Sequence, residues 1–254
     1  MRINWGPAKF AGTHEWDRNF FLLMVGLVWL GIVMGFVPQI IRRIETHAPP
    51  YPVIVHFHAA AMVAWLCLLT AQVMLVRAKR TDLHRRLGIA GMYLYPLMVV
   101  LGIATAVAVN RSEVGTPHFD PGFISIQLAD MLNFATLASA AFWFRRIPSA
   151  HKRFMILATI FIADAGYARW WGRTLIPLLS GGHAVAGYGA NAVGFYLGDF
   201  LLVVVMGAYD LITRRRLHPA FIFGAVFGLT WEAVSLWLYM SPWWKPVAMK
   251  LLGL

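Results

Sequence analysis

A chain of 254 residues with 59% apolar, 14% aromatic and only 13% charged side chains departs from the soluble norm of roughly 45–50% apolar and about 25% charged. Its mean hydropathy of +0.64 makes lipid the solvent for much of its surface and excludes an ordinary soluble enzyme. The formal charge of +11 sits in short clusters between apolar runs, a pattern of membrane topology rather than of nucleic-acid binding.

Apolar runs of about 20 residues predict seven transmembrane helices at 19–41, 53–76, 87–109, 122–144, 154–177, 187–212 and 219–240. They form an all-α integral membrane protein with one domain over 1–254, because a backbone in lipid must satisfy its own hydrogen bonds and these runs are too long for barrel strands. The first run exceeds the 7–15 apolar residues typical of a cleavable signal. It leads into Gln39-Ile40-Ile41-Arg42-Arg43, so it is expected to stay in the membrane. Alternating the connections puts fifteen Lys and Arg on one side, including Arg18, Arg77, Arg85, Arg86, Arg145, Arg146 and Arg214, together with Arg2 and Lys9. Five lie opposite: Arg42, Arg43, Arg111, Lys245 and Lys250. The positive-inside rule then predicts an N-terminus inside and a C-terminus outside, in a cytoplasmic (inner) membrane.

In chain order, the first polar groups of interest open the second span, "HFHAAAMVAW". His56 and His58 are about 200° apart around a helix. His58 shares a face with Met62, Trp65 and Gln72, which favours it as the inward residue and as a metal or haem ligand. The alternative is a pair of interfacial histidines. Next, His84, His151 and His218 follow basic clusters at the starts of spans three, five and seven, at intervals of 67 residues. This spacing reads either as one helix followed by three similar hairpins or as the ordinary length of a helix pair with its loops. His84 has Gly88 and Gly91 on its face, room for a flat macrocycle or another helix. His84 and His151 at equal depth on facing helices have the geometry of bis-histidine haem ligation, although helix capping explains such positions equally.

Deeper ionisable groups cost roughly 2.5–3.5 kcal/mol each on insertion scales and are functional candidates by default. They are Asp130, Asp164, Arg169, Asp199 and Glu232, with Arg173 nearer an edge. Arg169 is expected to pair with Asp130 or Glu232, with Gln127 and Asn133 in reach. With His58, His118 and His183 added, this describes a polar pocket opening away from the cytoplasm, or a charge pair that locks two helices. The loop glycines Gly181 and Gly182 read as a lid or a turn. Tyr167, Trp170, Trp171, Trp243 and Trp244 read as an interfacial belt. The single cysteine, Cys67, excludes an internal disulfide, a C-x-x-C-H haem attachment and thiolate metal sites, and no nucleotide or zinc-protease motif is present.

The segments "TAQVMLVRAKR", "LHRRLGIAG" and "AHKRFMILATIFIADAGYARW" resemble a family of uncharacterised bacterial multi-pass membrane proteins with His-Arg-Arg helix starts. That resemblance covers about residues 53–175 and implies fold only. "HFHAAAMVAW", a basic loop and "LHRRLG" are also similar to the core of transmembrane di-haem b-type cytochromes, including those that take electrons from ascorbate. This second resemblance implies His58 as an outer haem ligand and His84 with His151 as the inner pair. Ser125, Gln127 and His118 are the only groups near the position of the fourth ligand. The leading expectation is therefore histidine-liganded haem b, or a divalent metal, with electron transfer to quinone or another small reductant. Two rivals stand beside it. One is a transporter or sensor that binds a small polar ligand in the Asp/Arg/Glu/His pocket. The other is a metal-dependent membrane hydrolase using His56, His58 and His118.

Overall fold

The computed structural model describes residues 13–179 and 187–254, without the side chains of 173–179. Arg2, Lys9, Gly181, Gly182, His183 and the Arg173 side chain thus lie outside the described residues. The chain is 83% helical, with no strand among those residues. The helices are α1 (Asp17–Glu45), α2 (Val53–Arg77), α3 (Thr81–Ser112), α4 (Ile124–Trp143, after a 3-10 turn at Pro121–Phe123), α5 (Pro148–Ile160), α6 (Asp164–Leu179), α7 (Tyr188–Arg214), α8 (Pro219–Met240) and α9 (Trp244–Leu252). Six are long and apolar enough to cross a membrane: α1, α2, α3, α4 with its 3-10 turn, α7 and α8. Large apolar side chains such as Ile44, Tyr93, Val100, Ile212 and Val226 are exposed on them, as lipid-facing surfaces require.

The expected fifth span arrives in two pieces. The ladder breaks at Phe161–Ala163, where Ala163 N–H bonds Ile160 O at 2.8 Å in a tighter turn. The sequence supplies local competitors to the ladder on both sides. Thr159 Oγ1 donates back to Met155 O at 3.0 Å while accepting the Trp65 indole N–H at 3.1 Å. Asp164, the first residue of α6, holds its carboxyl against the Ala165 N–H. Such a break survives at membrane depth where neighbouring helices enclose it, and Phe161, Ile162 and Ala163 are all buried.

Small residues bring the helices around this break together. Gly35 of α1 faces the backbone of Gly166, Gly31 and Gly198 lie against the Tyr167 ring, and Gly228 of α8 lies against the Phe161 ring. Tyr167 is fixed further by donating from its hydroxyl to Leu27 O at 2.7 Å. The core formed by Phe134, Leu137, Leu157, Phe161 and Met206 is almost wholly buried.

Two expectations change. The 67-residue spacing does not give three equivalent histidines: His84 and His151 are each the fourth residue of a helix, whereas His218 is the N-cap of α8 and accepts from Ala220 N–H at 3.0 Å. The chain also ends in a short helix, α9, whose Ala248 and Leu252 pack on Ile124 and whose Trp244 donates to Gly122 O at 3.1 Å.

Candidate functional site

Two polar regions stand out, at different levels of the bundle. In the middle, α4, α6, α7 and α8 bring together Asp130, Asp164, Asp199 and Glu232. Asp130 lies in Coulombic range of Asp164, Asp199 and Arg169, and Glu232 of Asp164 and Asp130. Asp199 is wholly buried, and Asp164 and Glu232 are 4% exposed. The Asp199 and Glu232 side chains are within hydrogen-bonding reach of each other. Yet among the described residues Asp199 Oδ1 and Oδ2, Glu232 Oε1 and Asp164 Oδ1 have no well-formed hydrogen-bond partner. Arg169 donates to Gln39 Oε1 at 2.8 Å and to Ala165 O at 2.6 Å, with its guanidinium 4.6 Å from the Phe36 ring. It acts on Asp130 and Asp164 through space, while Glu232 engages Asp199. Gln127 is drawn away from this group, accepting from Asn110 Nδ2 at 2.8 Å. On the cluster's flank, Tyr196 and Ser235 share a 2.7 Å bond and Ser235 donates to Glu232 O at 2.8 Å.

The second region is the facing pair at the starts of α3 and α5. The His84 and His151 ring centres are 6.3 Å apart with planes at 85°. His151 Nδ1 is 2.8 Å from Ala141 O, near the end of α4, which fixes Nδ1 as the protonated nitrogen and leaves Nε2 with a lone pair. The His84 ring lies beside the Gln72 backbone near the end of α2, its buried Nδ1 without a well-formed hydrogen bond. Arg85 is in Coulombic range of His84. The glycine face expected below His84 is lined by side chains of neighbouring helices. Gly91 is covered by Leu68 and Phe142, each 3.4 Å from the place of a Cβ, whereas at Gly88 the nearest atom is Gln72 Nε2 at 3.6 Å.

The remaining candidates are not gathered. His56 and His118 are exposed and His58 is half-buried, with its Nδ1 unpaired. No group of three or more His, Cys, Asp or Glu suited to a metal occurs among the described residues, so His56, His58 and His118 do not form the triad that a metal hydrolase would need. An apolar groove of about 540 Å³ runs along α8 past Leu229, Ala233 and Trp237, and none of these carboxyls or histidines lines it.

A third network was hidden among residues that read as topology signals. At the end of the bundle that carries His151, Arg153 is wholly buried. It makes a two-pronged bond to Asp210, through Nε at 2.8 Å and through Nη2, and donates to Ser149 O at 2.7 Å. Asp17 accepts from Lys152 at 2.7 Å, Arg214 at 2.8 Å and the Tyr209 hydroxyl at 2.5 Å. His218 donates its backbone N–H to Asp210 at 3.3 Å, and its Nε2 lies 3.2 Å from Ser149 Oγ. Burial, then the Arg153 charge, pull the His218 imidazole down to about 4 against the opposing pull of Asp210. The readable signal for this network was Asp210 four residues before Arg214, on one helix face.

No family model, curated protein or solved structure matches this chain.

Proposed function

We propose that this is a seven-span protein of a bacterial-type cytoplasmic membrane that holds a b-type haem between His84 and His151 and passes electrons to or from quinone or another small reductant. The observation that carries the reading is the imidazole pair. Two imidazoles on opposite sides of one metal, with bonds of about 2 Å, have ring centres about 6 Å apart, and these are 6.3 Å apart. The Ala141 carbonyl at His151 Nδ1 supplies the outer support that metal-bound histidines use.

The residues present fit the group. Gly88 and Gly91 leave the His84 face without side chains of its own, so a macrocycle would displace the Gln72 amide that lies 3.6 Å from the place of a Gly88 Cβ, with Leu68 and Phe142 as its floor. Arg85 and the neighbouring Arg86 offer cations for the two propionates. When bound, haem iron supplies one-electron chemistry that no side chain of this chain provides. The chain's own part is to orient two neutral imidazoles and to keep the site at a helix–helix junction beside the basic, inner surface. The excess of Lys and Arg on that side supports the orientation. The broken α5–α6 pair supports a seventh crossing, because its two pieces together have the length of a span.

The experiment is an absorption spectrum of detergent-purified protein from haem-sufficient cells, oxidised and then reduced with dithionite, with iron analysis of the same sample. A Soret band, a sharp reduced α-band and about one iron per chain are expected. A featureless spectrum without iron would overturn the reading.

A further inference from the structure

We propose that the Asp199–Glu232 pair in the middle of the bundle is a proton-binding site, with one proton held between the two carboxyls and exchanged with Asp130 and Asp164. The inference stands on geometry separate from the histidine pair, and either can fail without the other.

An ionised carboxylate only accepts hydrogen bonds. Asp199 and Glu232 nonetheless lie within hydrogen-bonding reach of each other, and among the described residues no well-formed donor contact reaches either Asp199 oxygen or Glu232 Oε1, the Asp199 backbone N–H alone lying near its own carboxyl. Two acceptor-only groups in contact in a low-dielectric interior repel strongly. A proton on one of them turns that repulsion into an O–H···O⁻ hydrogen bond, among the stronger kinds available to a protein.

Charge balance points the same way. Among the described residues Arg169 is the cation in Coulombic range of Asp130 and Asp164, and one guanidinium against four carboxylates would leave three negative charges uncompensated there, a state that burial in lipid penalises heavily. Protons remove that charge without needing the wide coordination shell of a metal ion.

An independent side chain also asks for a donor. Asn133, wholly buried, sits three residues after Asp130 on α4 and directs its Nδ2 to Gly228 O at 3.3 Å on α8. Gly228 is one turn before Glu232, so this amide enters the same α4–α8 seam as the carboxyls. Its Oδ1 is unpaired. A buried acceptor without a donor costs about 1–3 kcal/mol, and in the seam that Asp130 and Glu232 share a carboxyl in its acid form would supply one.

The groups facing the pair come from every element around it: Asp130 and Asn133 from α4, Asp164 and Arg169 from α6, and Tyr196 and Ser235 on its own helices, α7 and α8. Transfer between Asp199 and Glu232 breaks one O–H bond as the other forms, with no change of net charge. The break between α5 and α6 places Asp164 at the head of a helix, a polar stop from which the proton can leave the pair. The chemistry assigned here is proton relay through the bundle's middle.

Infrared spectroscopy of the full-length protein in lipid at neutral pH tests this, in water and in deuterium oxide, for wild type, Asp199→Asn and Glu232→Gln, with Glu113→Gln as a control acid outside the cluster. A carbonyl band of protonated carboxyl is expected in wild type and Glu113→Gln. It should shift in deuterium oxide and be lost or displaced in the other two variants. Absence of the band in wild type would overturn the proposal, as would a band unmoved by both substitutions. One metal ion bound per chain and lost in Asp199→Asn would replace the proton with a cation and equally overturn it. Absence of the band in wild type decides against the pair whatever the variants do, and either well-folded variant suffices to assign a band that is present, so poor folding of one leaves the test intact.

Discussion

Buried charges occur in two places in this bundle, and they are treated in opposite ways. At the end that carries His151, Asp17 and Asp210 are met by Lys152, Arg153 and Arg214 with short, directed bonds. In the middle, among the described residues, four carboxyls face one guanidinium, and several of their oxygens make no well-formed hydrogen bond. Partnered buried charges hold helices in register, and removing one partner strands the other. Unpartnered acids in a membrane interior are kept at a cost, which makes them the region where function is to be sought.

Substitutions break this contrast in order of size. Asp210→Ala deprives the buried Arg153 of its two-pronged partner and should cost about 3–5 kcal/mol, lowering the thermal midpoint in detergent by about 10 °C. A change below about 2 °C would show that the pair is not a structural lock. Gly35→Leu drives a side chain into the Gly166 backbone and should cost about 1–3 kcal/mol by overpacking. An unchanged midpoint would contradict the close α1–α6 seam.

The pH dependence of the lock is smaller and has a definite sign. His218 is held down to about 4 in the fold, against about 6.5 when unfolded. The folded state therefore favours the neutral ring. Its contribution is complete above pH 6.5 and is lost as pH falls from 6.5 toward 4. His218→Asn, which keeps an acceptor at the N-cap, should flatten the midpoint-versus-pH curve in that window; an identical curve would remove His218 from the lock. Smallest of all, Asp199→Asn gives the carboxyl cluster a donor without changing shape, so its midpoint should equal or exceed that of wild type. A fall as large as that of Asp210→Ala would erase the distinction between the two regions.

Much of the fold was legible because lipid imposes one rule, an apolar run about 20 residues long. The six long helices follow it, and α8 matches its expected bounds of 219–240. The break at Phe161–Ala163 was not legible, since Thr159 and Asp164 interrupt a helix only where a partner such as the Trp65 indole and the enclosing helices make the interruption tolerable. The short α9 has too few apolar residues to register as a span. The acids themselves were visible, being rare in apolar runs, and depth counting put Asp164 and Asp199 near the midplane. What one-dimensional counting could not supply was pairing. It matched Arg169 to Asp130 or Glu232 on charge alone; Asp130 is in Coulombic range of the guanidinium, but Gln39, a modest polar residue after Pro38, is an acceptor that charge counting could not find. Lys152 and Arg153 counted as topology signals because their acidic partners lie 135 and 57 residues away in sequence; Arg214 has Asp210 four residues before it, but its shorter bond is to Asp17, 197 residues away.

The most direct test of the haem reading compares the Soret band of purified wild type, His84→Ala, His151→Ala and Asp199→Asn at equal protein concentration. A band is expected in wild type and Asp199→Asn, and its loss in both histidine variants. A band that survives both histidine substitutions, or that disappears in Asp199→Asn alone, would contradict that reading.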